Sequence, residues 1–314
     1  MVATRFAVAV DLGGTRFRVA LCDANGALRA RHTYPTESAR GPERILEHIA
    51  SAIRTVLAAA PAGAPVVGIG VAAPGPLDPW RGVIYQAPNL PGWENLPLAE
   101  RLAALTGYPV RVGNDANLAA LGEHRFGAGR GASHLVYVTV STGVGGGIIV
   151  NNALWLGARG AAGEIGHTII ERYGPPCSCG NRGCVEALAS GTAIARRAAE
   201  ALAAGRPSRL GAAGTSPSAE AVARAAADGD ALAIEILEEA ARALAVGLVN
   251  LLHLCDPQLI VIGGGVSHAG ERWWHALRDE VARRALPIYQ RELRIVPAAL
   301  GDDAGLIGAA AMVL

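Results

Sequence analysis

Three of the five cysteines lie within eight residues of one another, and they carry the most specific chemistry in the sequence. Cys177, Cys179 and Cys184 follow His167, which precedes the first of them by ten residues. Three thiolates and one imidazole complete a tetrahedral ligand set for Zn²⁺ and leave no position for a substrate, which is typical of a structural site. Chance clustering is the alternative. Disulfides are not expected, because the sequence indicates a cytoplasmic protein.

Two glycine-rich segments could approach phosphate groups. The first is Asp11-Leu12-Gly13-Gly14-Thr15, and the second is Ser141-Thr142-Gly143, about 130 residues later in the chain. Glycine N–H groups can reach phosphate oxygens without a Cβ in the way. Asp11 could hold Mg²⁺, usually through water, and the Thr15 hydroxyl could donate to a phosphate. Each segment alone is equally well explained as a tight hairpin turn, but the pair suggests a clamp on a triphosphate.

Asn114-Asp115 is the candidate site for proton transfer. The pair ends a predicted strand and precedes a predicted helix over residues 116–126. One interpretation is a helix N-cap. The alternative is a carboxylate at the carboxyl edge of a sheet, where open α/β folds bind ligands. There it could accept the proton of an attacking hydroxyl during phosphoryl transfer.

Further polar residues could bind a polyol. Glu164, His167 and Glu186 flank the cysteine cluster, and Asn89 lies in a turn-rich loop. A loop braced by zinc could present such groups toward hydroxyls. Each of them, taken separately, is more often a solvated or capping residue.

The composition excludes several classes of enzyme. All 28 basic residues are arginine, so the chain has no lysine for a P-loop, a protein-kinase strand or a Schiff base. The formal net charge is +1, and the arginines are dispersed rather than gathered in a stripe. We therefore expect no nucleic acid as a partner.

Two stretches without arginine or carboxylates are candidates for a membrane span. Residues 55–77 contain four prolines, and residues 131–158 contain the second glycine-rich segment, so neither could form a continuous apolar helix. Asp11 interrupts the apolar run near the N-terminus before a secretory signal is complete. These features predict a soluble, cytoplasmic protein without membrane contact.

Alternating strand and helix patterns predict an α/β fold that positions these residues. A strand, a glycine turn and a second strand occur twice, which suggests a duplicated domain, and hairpin turns are expected at Asn25-Gly26 and Asn151-Asn152. The last helix is expected to return to the first domain. Strands are predicted at residues 6–10, 16–21, 27–34, 66–72, 110–112, 134–140, 148–150, 259–262 and 293–296, and helices at 42–57, 97–105, 116–126, 184–202, 219–227, 231–255, 271–285 and 302–314, with a surface loop at 203–218.

These motifs, in this order, resemble the ROK group of bacterial sugar kinases and sugar-responsive repressors, and most closely its ATP-dependent glucokinases. The resemblance covers nearly the whole chain, and the cysteine motif with its flanking glutamates is highly specific. The matching segments are Asp11-Leu12-Gly13-Gly14-Thr15, Ala73-Pro74-Gly75, Asn89-Leu90-Pro91-Gly92-Trp93, Asn114-Asp115-Ala116-Asn117, Ser141-Thr142-Gly143-Val144-Gly145-Gly146-Gly147, Gly163-Glu164-Ile165-Gly166-His167, Cys177-Ser178-Cys179-Gly180-Asn181-Arg182-Gly183-Cys184-Val185-Glu186 and Gly263-Gly264-Gly265.

The resemblance implies an actin-like, ribonuclease-H-like α/β fold of two domains, with the active site in a central cleft and a zinc-braced loop. The N-terminal domain would comprise residues 1–115 together with the C-terminal helix at 300–314. The larger domain, residues 116–299, would carry the zinc site.

The resemblance also implies a role for each matching residue. Asp115 would be the catalytic base that takes the proton from the sugar 6-hydroxyl. The sugar would contact Asn89, Asn114, Asp115, Glu164, His167 and Glu186. The nucleotide and its Mg²⁺ would contact Asp11, Gly13, Gly14, Thr15, Thr142, Gly143 and Gly264. Zn²⁺ would be held by His167, Cys177, Cys179 and Cys184.

The implied activity is phosphorylation of glucose by ATP. Kinases for mannose, fructose, N-acetylglucosamine or N-acetylmannosamine use nearly the same motifs and are the alternatives. A sugar-sensing repressor is disfavoured, since only about five residues precede the first strand and leave no room for a DNA-binding helix-turn-helix. Family habit suggests a homodimer or homotetramer.

Overall fold

The structure is a computed structural model that describes residues 4–87, 89–213, 216–289 and 292–314. The chain divides into two compact units. The first unit extends to Gly131 and also includes Gly147–Gly163 and Ala299–Leu314, whereas the second comprises Ala132–Gly146 and Glu164–Ala298. The predicted domains divide the chain elsewhere, after residue 115, and as folding units they stay a prediction.

Strands and helices alternate along most of the described chain, as expected for an α/β protein. The strands are β1 (Phe6–Leu12), β2 (Arg16–Asp23), β3 (Leu28–Pro35), β4 (Val66–Ala73), β5 (Leu77–Asp78), β6 (Val83–Gln86), β7 (Glu94–Leu96), β8 (Val110–Asn114), β9 (Leu135–Val140), β10 (Val144–Val150), β11 (Ala153–Leu154), β12 (Leu259–Gly263) and β13 (Arg294–Pro297). The helices are α1 (Gly41–Leu57), α2 (Leu98–Thr106), α3 (Asp115–Phe126), α4 (Val185–Ala189), α5 (Gly191–Ala203), α6 (Ala219–Ala227), α7 (Ala231–Cys255), α8 (Glu271–Arg284) and α9 (Ala304–Val313).

A mixed sheet with the order β3-β2-β1-β4-β8 forms the centre of the first unit. Strands β1, β2 and β3 are antiparallel neighbours, whereas β4 pairs in parallel with both β1 and β8. The predicted turn at Asn25-Gly26 joins β2 to β3 and is confirmed, with Gly26 at φ +82°. Asp23 stabilises this turn because its carboxylate accepts the N–H groups of Asn25 and Ala27.

The C-terminal helix α9 packs on this sheet and on α3 and belongs to the first unit. The helices touch at backbone distance. A Cβ added to Gly308 would lie 1.7 Å from the Leu118 carbonyl oxygen, and one added to Gly122 would lie 2.5 Å from that of Ala304. Only glycine fits at such a crossing. The contact fixes the position of α3, whose first residue is Asp115.

The second unit contains strands β9, β12 and β13, which pair in parallel, with β10 on the other side of β9. Strand β10 continues along the chain into the first unit, where it pairs with β11. Asn151 and Asn152 form the connecting turn with φ values of 51° and 63°. Positive φ at both central residues is the geometry of a type I′ hairpin, so the predicted turn is confirmed.

One predicted helix, residues 184–202, is wrong as a single element. The structure has two helices here, α4 and α5, separated by Ser190 in an extended conformation. The Ser190 hydroxyl accepts the N–H of Ala193 at 3.1 Å and so caps α5. Apolar periodicity continues across the break, which is why the pattern alone did not reveal it.

The small antiparallel sheet β5-β6-β7 was not predicted, since strands of two to four residues are too short to show alternation. The predicted loop at 203–218 contains a 3₁₀ turn at Arg209–Ala213, and residues 214–215 lie outside the described residues. In the described part of the chain, no helix has both the length and the apolar character needed to cross a membrane.

Candidate active site

The first glycine turn, between β1 and β2, is closed by the chain around it. The Gly13 N–H donates to the Arg16 carbonyl at 3.0 Å, and the Thr36 hydroxyl donates to the Gly13 carbonyl at 2.7 Å. A Cβ added to Gly14 would lie 2.6 Å from the Cβ of Asn89. The turn thus brings the predicted sugar ligand Asn89 beside the predicted phosphate ligands Gly13 and Gly14.

Asp11, at the end of β1, belongs to a chain of ion pairs. Arg18 donates to its Oδ2 through Nε at 2.9 Å and through a second contact from Nη2. Arg18 also reaches Asp303 at 3.3 Å, and Arg31 contacts the other oxygen of Asp303 at 2.9 Å. The Oδ2 atom of Asp11 therefore accepts both hydrogen bonds from the Arg18 guanidinium.

Asn114 and Asp115 occupy different positions at the start of α3. Asn114 is the N-cap of α3, since its Oδ1 accepts the N–H groups of Ala116 and Asn117, each at 3.1 Å. Asp115 is the first helical residue and is exposed, and its Oδ1 accepts the Ala116 N–H at 2.8 Å. The helix dipole favours a negative charge there. Asn114 is therefore the N-cap, and Asp115 adds a hydrogen bond in the first turn of the helix.

The register of the sheet places Asp11 and Asp115 at the same edge. Asp11 pairs with Ala72 of β4, and Asn114 pairs with the next residue of β4, Ala73. Two strand spacings separate β1 from β8, so the two carboxylates start from backbones about 10 Å apart. Both residues therefore lie at the carboxyl-terminal ends of their strands, on the same side of the sheet.

The second glycine turn, between β9 and β10, is held from two directions. The Gly191 N–H donates to the Ser141 carbonyl at 2.7 Å, and the Thr192 hydroxyl donates to the Thr142 carbonyl at 2.8 Å. On the other side, the Glu186 carboxylate accepts the N–H of Val144, next to Gly143, at 3.0 Å.

Gly264 also packs near this turn. It follows β12 with φ +83°, and a Cβ added there would lie 2.4 Å from the carbonyl oxygen of Val140, the last residue of β9. The structure therefore brings together the three predicted nucleotide contacts of the second unit, Thr142, Gly143 and Gly264.

The four predicted zinc ligands form one cluster, with all ligand atoms within 4.8 Å of one another. Nδ1 of His167 lies 3.7 Å from Sγ of Cys177, and the Sγ atoms of Cys179 and Cys184 are 3.8 Å apart. Zn–S bonds of about 2.3 Å in a tetrahedron give ligand separations of roughly 3.8 Å, so the residues fit zinc.

The thiols of this cluster differ in acidity. The backbone N–H of Asn181 lowers the pKa of Cys179 to about 7, whereas burial and the neighbouring thiols raise the pKa of Cys184 to about 12. A buried thiol beside two others resists ionisation, and a bound dication would reverse that preference.

The two predicted sugar-binding glutamates adjoin the metal cluster in different ways. Glu164 is exposed and directly precedes the 3₁₀ turn Ile165–His167, and its carbonyl accepts the His167 N–H at 3.1 Å. Glu186 lies in the first turn of α4, and its Oε1 accepts the hydroxyl of Ser178 at 2.9 Å. Both carboxylates are therefore positioned by segments that also carry metal ligands.

The second unit also contains a cavity of about 660 Å³ that was not predicted from the sequence. The second glycine turn contributes Thr142 at its rim, and Thr192, Glu220 and His268 add polar groups. Ser141 and Ser218 also line it, and the rest of its walls are apolar, with Ile194 among them. The lining residues come mainly from α5, α6, α7 and the turn after β12. Because they are far apart in sequence and form no motif, the sequence did not predict the cavity. The serine caps of α5 and α6 were the available signal, because helix N-termini favour anions.

Comparison with known proteins decides the family. The sequence model of the ROK family matches residues 7–314. This chain belongs to the ROK family. It is 39% identical over 309 residues to the glucokinase of Thermotoga maritima, covering 98% of this chain and 96% of that protein. The predicted family is thereby confirmed.

Solved ROK structures have the same fold. The ROK hexokinase from Thermus thermophilus superposes with a TM-score of 0.85 at 38% identity and covers 98% of this chain and 97% of that one. A ROK family glucokinase from Streptomyces griseus, in complex with glucose and AMPPNP, has a TM-score of 0.81 at 36% identity, with 98% and 99% of the chains covered. The α/β sugar-kinase fold expected from the motifs is confirmed.

The structure of this ROK protein groups the predicted residues within each unit. Asp11, the first glycine turn, Asn89, Asn114 and Asp115 lie in the first unit, and the second turn, the metal cluster, Glu164, Glu186 and Gly264 lie in the second. The roles given to these residues stay predictions, as does the homo-oligomeric state.

Proposed function

We propose that this ROK protein is a glucokinase that transfers the γ-phosphate of ATP to the 6-hydroxyl of glucose. Glucokinase and hexokinase relatives at 36–39% identity over nearly the whole chain support a sugar kinase. The observation that carries the mechanism is Asp115, an exposed carboxylate directly after the carboxyl end of β8, in the first turn of a helix whose N-cap is Asn114.

Asp115 acts as the general base. As the sugar O6 attacks the γ-phosphorus, its proton passes to the Asp115 carboxylate, and the bond from phosphorus to the β–γ bridging oxygen breaks to release ADP. Only a group within hydrogen-bond reach of O6 can take this proton. The N-terminal end of α3 supports the ionised form of the base.

The sugar hydroxyls are bound by Asn89, Asn114, Glu164, His167 and Glu186. The tautomer of the His167 imidazole is defined in this mechanism. Its Nδ1 faces Cys177, so ligation of a metal by Nδ1 keeps the proton on Nε2, which donates to a sugar oxygen. Zinc bound to His167 and the three cysteines supplies structural order and takes no part in the transfer.

The nucleotide is bound by the two glycine turns and by the cavity of the second unit. Gly13, Gly14, Thr15, Thr142, Gly143 and Gly264 contact its phosphates, and the apolar walls behind Thr192 and His268 take the nucleoside. Asp11 would hold Mg²⁺, which would supply the charge neutralisation that lysine provides in other kinases. The missing lysine therefore removes nothing that this mechanism requires.

The test measures the sugar phosphate formed from glucose, mannose, fructose, allose, N-acetylglucosamine and N-acetylmannosamine, with ATP or with polyphosphate as the phosphate donor. We expect the highest kcat/KM for glucose with ATP. A higher value for another sugar would overturn the choice of glucose, and a higher value with polyphosphate would overturn the choice of ATP.

The base is tested with Asp115→Asn. Turnover should fall at least 100-fold, in line with the 10²–10⁴-fold typical of general-base catalysis, while glucose still binds by calorimetry. The matched control is Asp279→Asn, an exposed carboxylate in α8. Undiminished turnover in Asp115→Asn would remove Asp115 from the mechanism.

A further inference from the structure

Both carboxylate oxygens of Glu186 accept hydrogen bonds from the chain itself. Oε1 accepts the hydroxyl of Ser178 at 2.9 Å, and Oε2 accepts the N–H of Val144 at 3.0 Å. Ser178 lies between two cysteines of the metal cluster, and Val144 directly follows the second glycine turn. One side chain therefore connects the metal loop, residues 177–184, to the turn assigned to phosphate.

The contact between Glu186 and the turn is tight. A Cβ added to Gly143 would lie 2.4 Å from the Glu186 Oε2, so the carboxylate packs directly against the backbone of the turn. Gly191 and Thr192 hold the carbonyl groups of the turn, whereas Glu186 holds an N–H group. A displacement of the carboxylate would therefore move the turn relative to α5.

The Ser178 hydroxyl determines the orientation of the Glu186 carboxylate. The terminal torsion of a glutamate is soft, so a bond at Oε2 alone leaves the carboxylate plane weakly defined. Ser178 itself is exposed, and Cys177 and Cys179 flank it. A metal ion bound by both cysteines would fix the Ser178 backbone, so the hydrogen bond to Glu186 would form with little additional loss of conformational entropy. The bond is charge-assisted, which makes it stronger than a neutral one.

We propose that Ser178 is a positioning residue, which acts through Glu186 to set the second glycine turn and so supports the affinity for nucleotide as well as for sugar. The inference rests on the proposed function, in which Glu186 contacts the sugar and Gly143 the phosphate. It adds a residue that contacts neither substrate, and it makes the metal loop a support for the phosphate turn.

The test compares Ser178→Ala, Ser178→Thr and Arg182→Ala, each purified with zinc bound. Arg182 is an exposed residue of the same loop and serves as the matched control. Calorimetry with glucose and with AMPPNP should show about five-fold weaker binding of both ligands to Ser178→Ala, the loss expected for one hydrogen bond. Ser178→Thr keeps the hydroxyl and should restore both affinities, and Arg182→Ala should resemble the wild type.

A second arm tests whether Ser178 acts through Glu186. In a Glu186→Ala background, Ser178→Ala should cause no further loss of AMPPNP affinity, because the link is already broken. An additional loss of the same size would overturn the proposal, and so would unchanged affinities in Ser178→Ala. Weaker binding accompanied by loss of zinc would also overturn it, because Ser178 would then act on the metal site.

The proposed function and this inference fail separately. If the wild type binds AMPPNP but phosphorylates no sugar, the proposed function is wrong. The dependence of AMPPNP affinity on Ser178 is measured without turnover and still decides whether the bridge exists.

Discussion

The two glycine turns look alike in sequence but are supported in different ways. In the first, Thr36 donates to the Gly13 carbonyl, and an ion-pair chain from Asp11 through Arg18 to Asp303 stabilises the strand ends. In the second, Thr192 holds a carbonyl while Glu186 connects the turn to a metal cluster. The repeated motif specifies the turn, and separate parts of the chain supply its support.

This difference predicts different sensitivities. The ion pairs of the first turn are partly exposed, since the Asp303 side chain is 24% exposed and that of Arg31 is 42% exposed. Salt weakens such pairs. The second turn is connected instead to the loop that we propose holds zinc, and a chelator should remove the order of that loop. Variants and conditions that affect one turn should leave the other intact.

The largest effect is expected from Cys177→Ser or from chelation. Losing one ligand of a closed site removes most of the metal affinity and the folding free energy coupled to it. Zinc should fall from about one per chain to near zero, and glucose binding should weaken at least ten-fold, by elemental analysis and calorimetry.

Cys255→Ser, outside the cluster at the end of α7, is the control and should retain zinc. Purified wild-type protein that contains no zinc yet binds glucose would contradict the assignment of the site.

The next effect concerns the first turn. Arg18→Met removes the partner shared by Asp11 and Asp303, and the Arg18 side chain is only 10% exposed. We expect the free energy of unfolding in urea to fall by about 2–3 kcal/mol, less than for a fully buried pair, and kcat to fall with it. Arg31→Met removes the more exposed ion pair, between Arg31 and Asp303, and should lower the free energy of unfolding by less than about 1 kcal/mol. Equal losses in the two variants would show that Arg18 has no special position.

A matched pair of hydroxyl deletions compares the turns directly. Thr36→Val and Thr192→Val each remove one hydroxyl that donates to a turn carbonyl. Thr36 is 1% exposed, whereas Thr192 is exposed and water can replace its hydroxyl. We expect a loss of about 1–2 kcal/mol for Thr36→Val and under about 1 kcal/mol for Thr192→Val, by urea denaturation. The reverse order would mean that burial does not set the strength of these bonds.

The sequence predicted the parts of this site that depend on local pattern. Helices α6 and α7 have the predicted bounds, and the cysteine cluster forms because its spacing suits a metal loop. Long-range contacts could not be predicted. Glu123 is fully buried in α3, and its carboxylate accepts the N–H groups of Ala299 and Leu300, about 176 residues away. A glutamate in a helix resembles a surface residue until its partners are known.

The bridge through Ser178 escaped prediction for a related reason. In the sequence, a serine between two cysteines carries no sign of a role of its own. The folded loop places the Ser178 hydroxyl 2.9 Å from Oε1 of Glu186. Likewise, Arg18 reads as one of many dispersed arginines, and its link to Asp303 spans 285 residues of sequence. Sequence motifs identify groups that contact substrates more readily than the groups that position them.

The smallest expected effect is an acid sensitivity that both units share. Burial opposes ionisation of Asp23 in the first unit, but bonds from Ala27, Arg29 and Asn25 outweigh it and lower its pKa. Asp230, the N-cap of α7, likewise has a lowered pKa despite burial, because the Ala233 N–H and other donors bind its carboxylate. Each carboxylate therefore stabilises the folded state above the unfolded pKa of about 3.9, and this contribution is lost as the pH falls through the lower folded value.

Urea denaturation between pH 6 and pH 2 measures this loss. Below about pH 4, the unfolding free energy of Asp23→Asn and of Asp230→Asn should fall less steeply than that of the wild type, by at most about 1.4 kcal/mol per pH unit for one proton. The exposed Asp279→Asn should keep the wild-type slope. Because Asp23 lies in the first unit and Asp230 in the second, similar flattening in the two variants would mean that acid weakens both units alike and that their different responses arise at the turns. A flatter slope in only one variant would show that one unit governs acid unfolding.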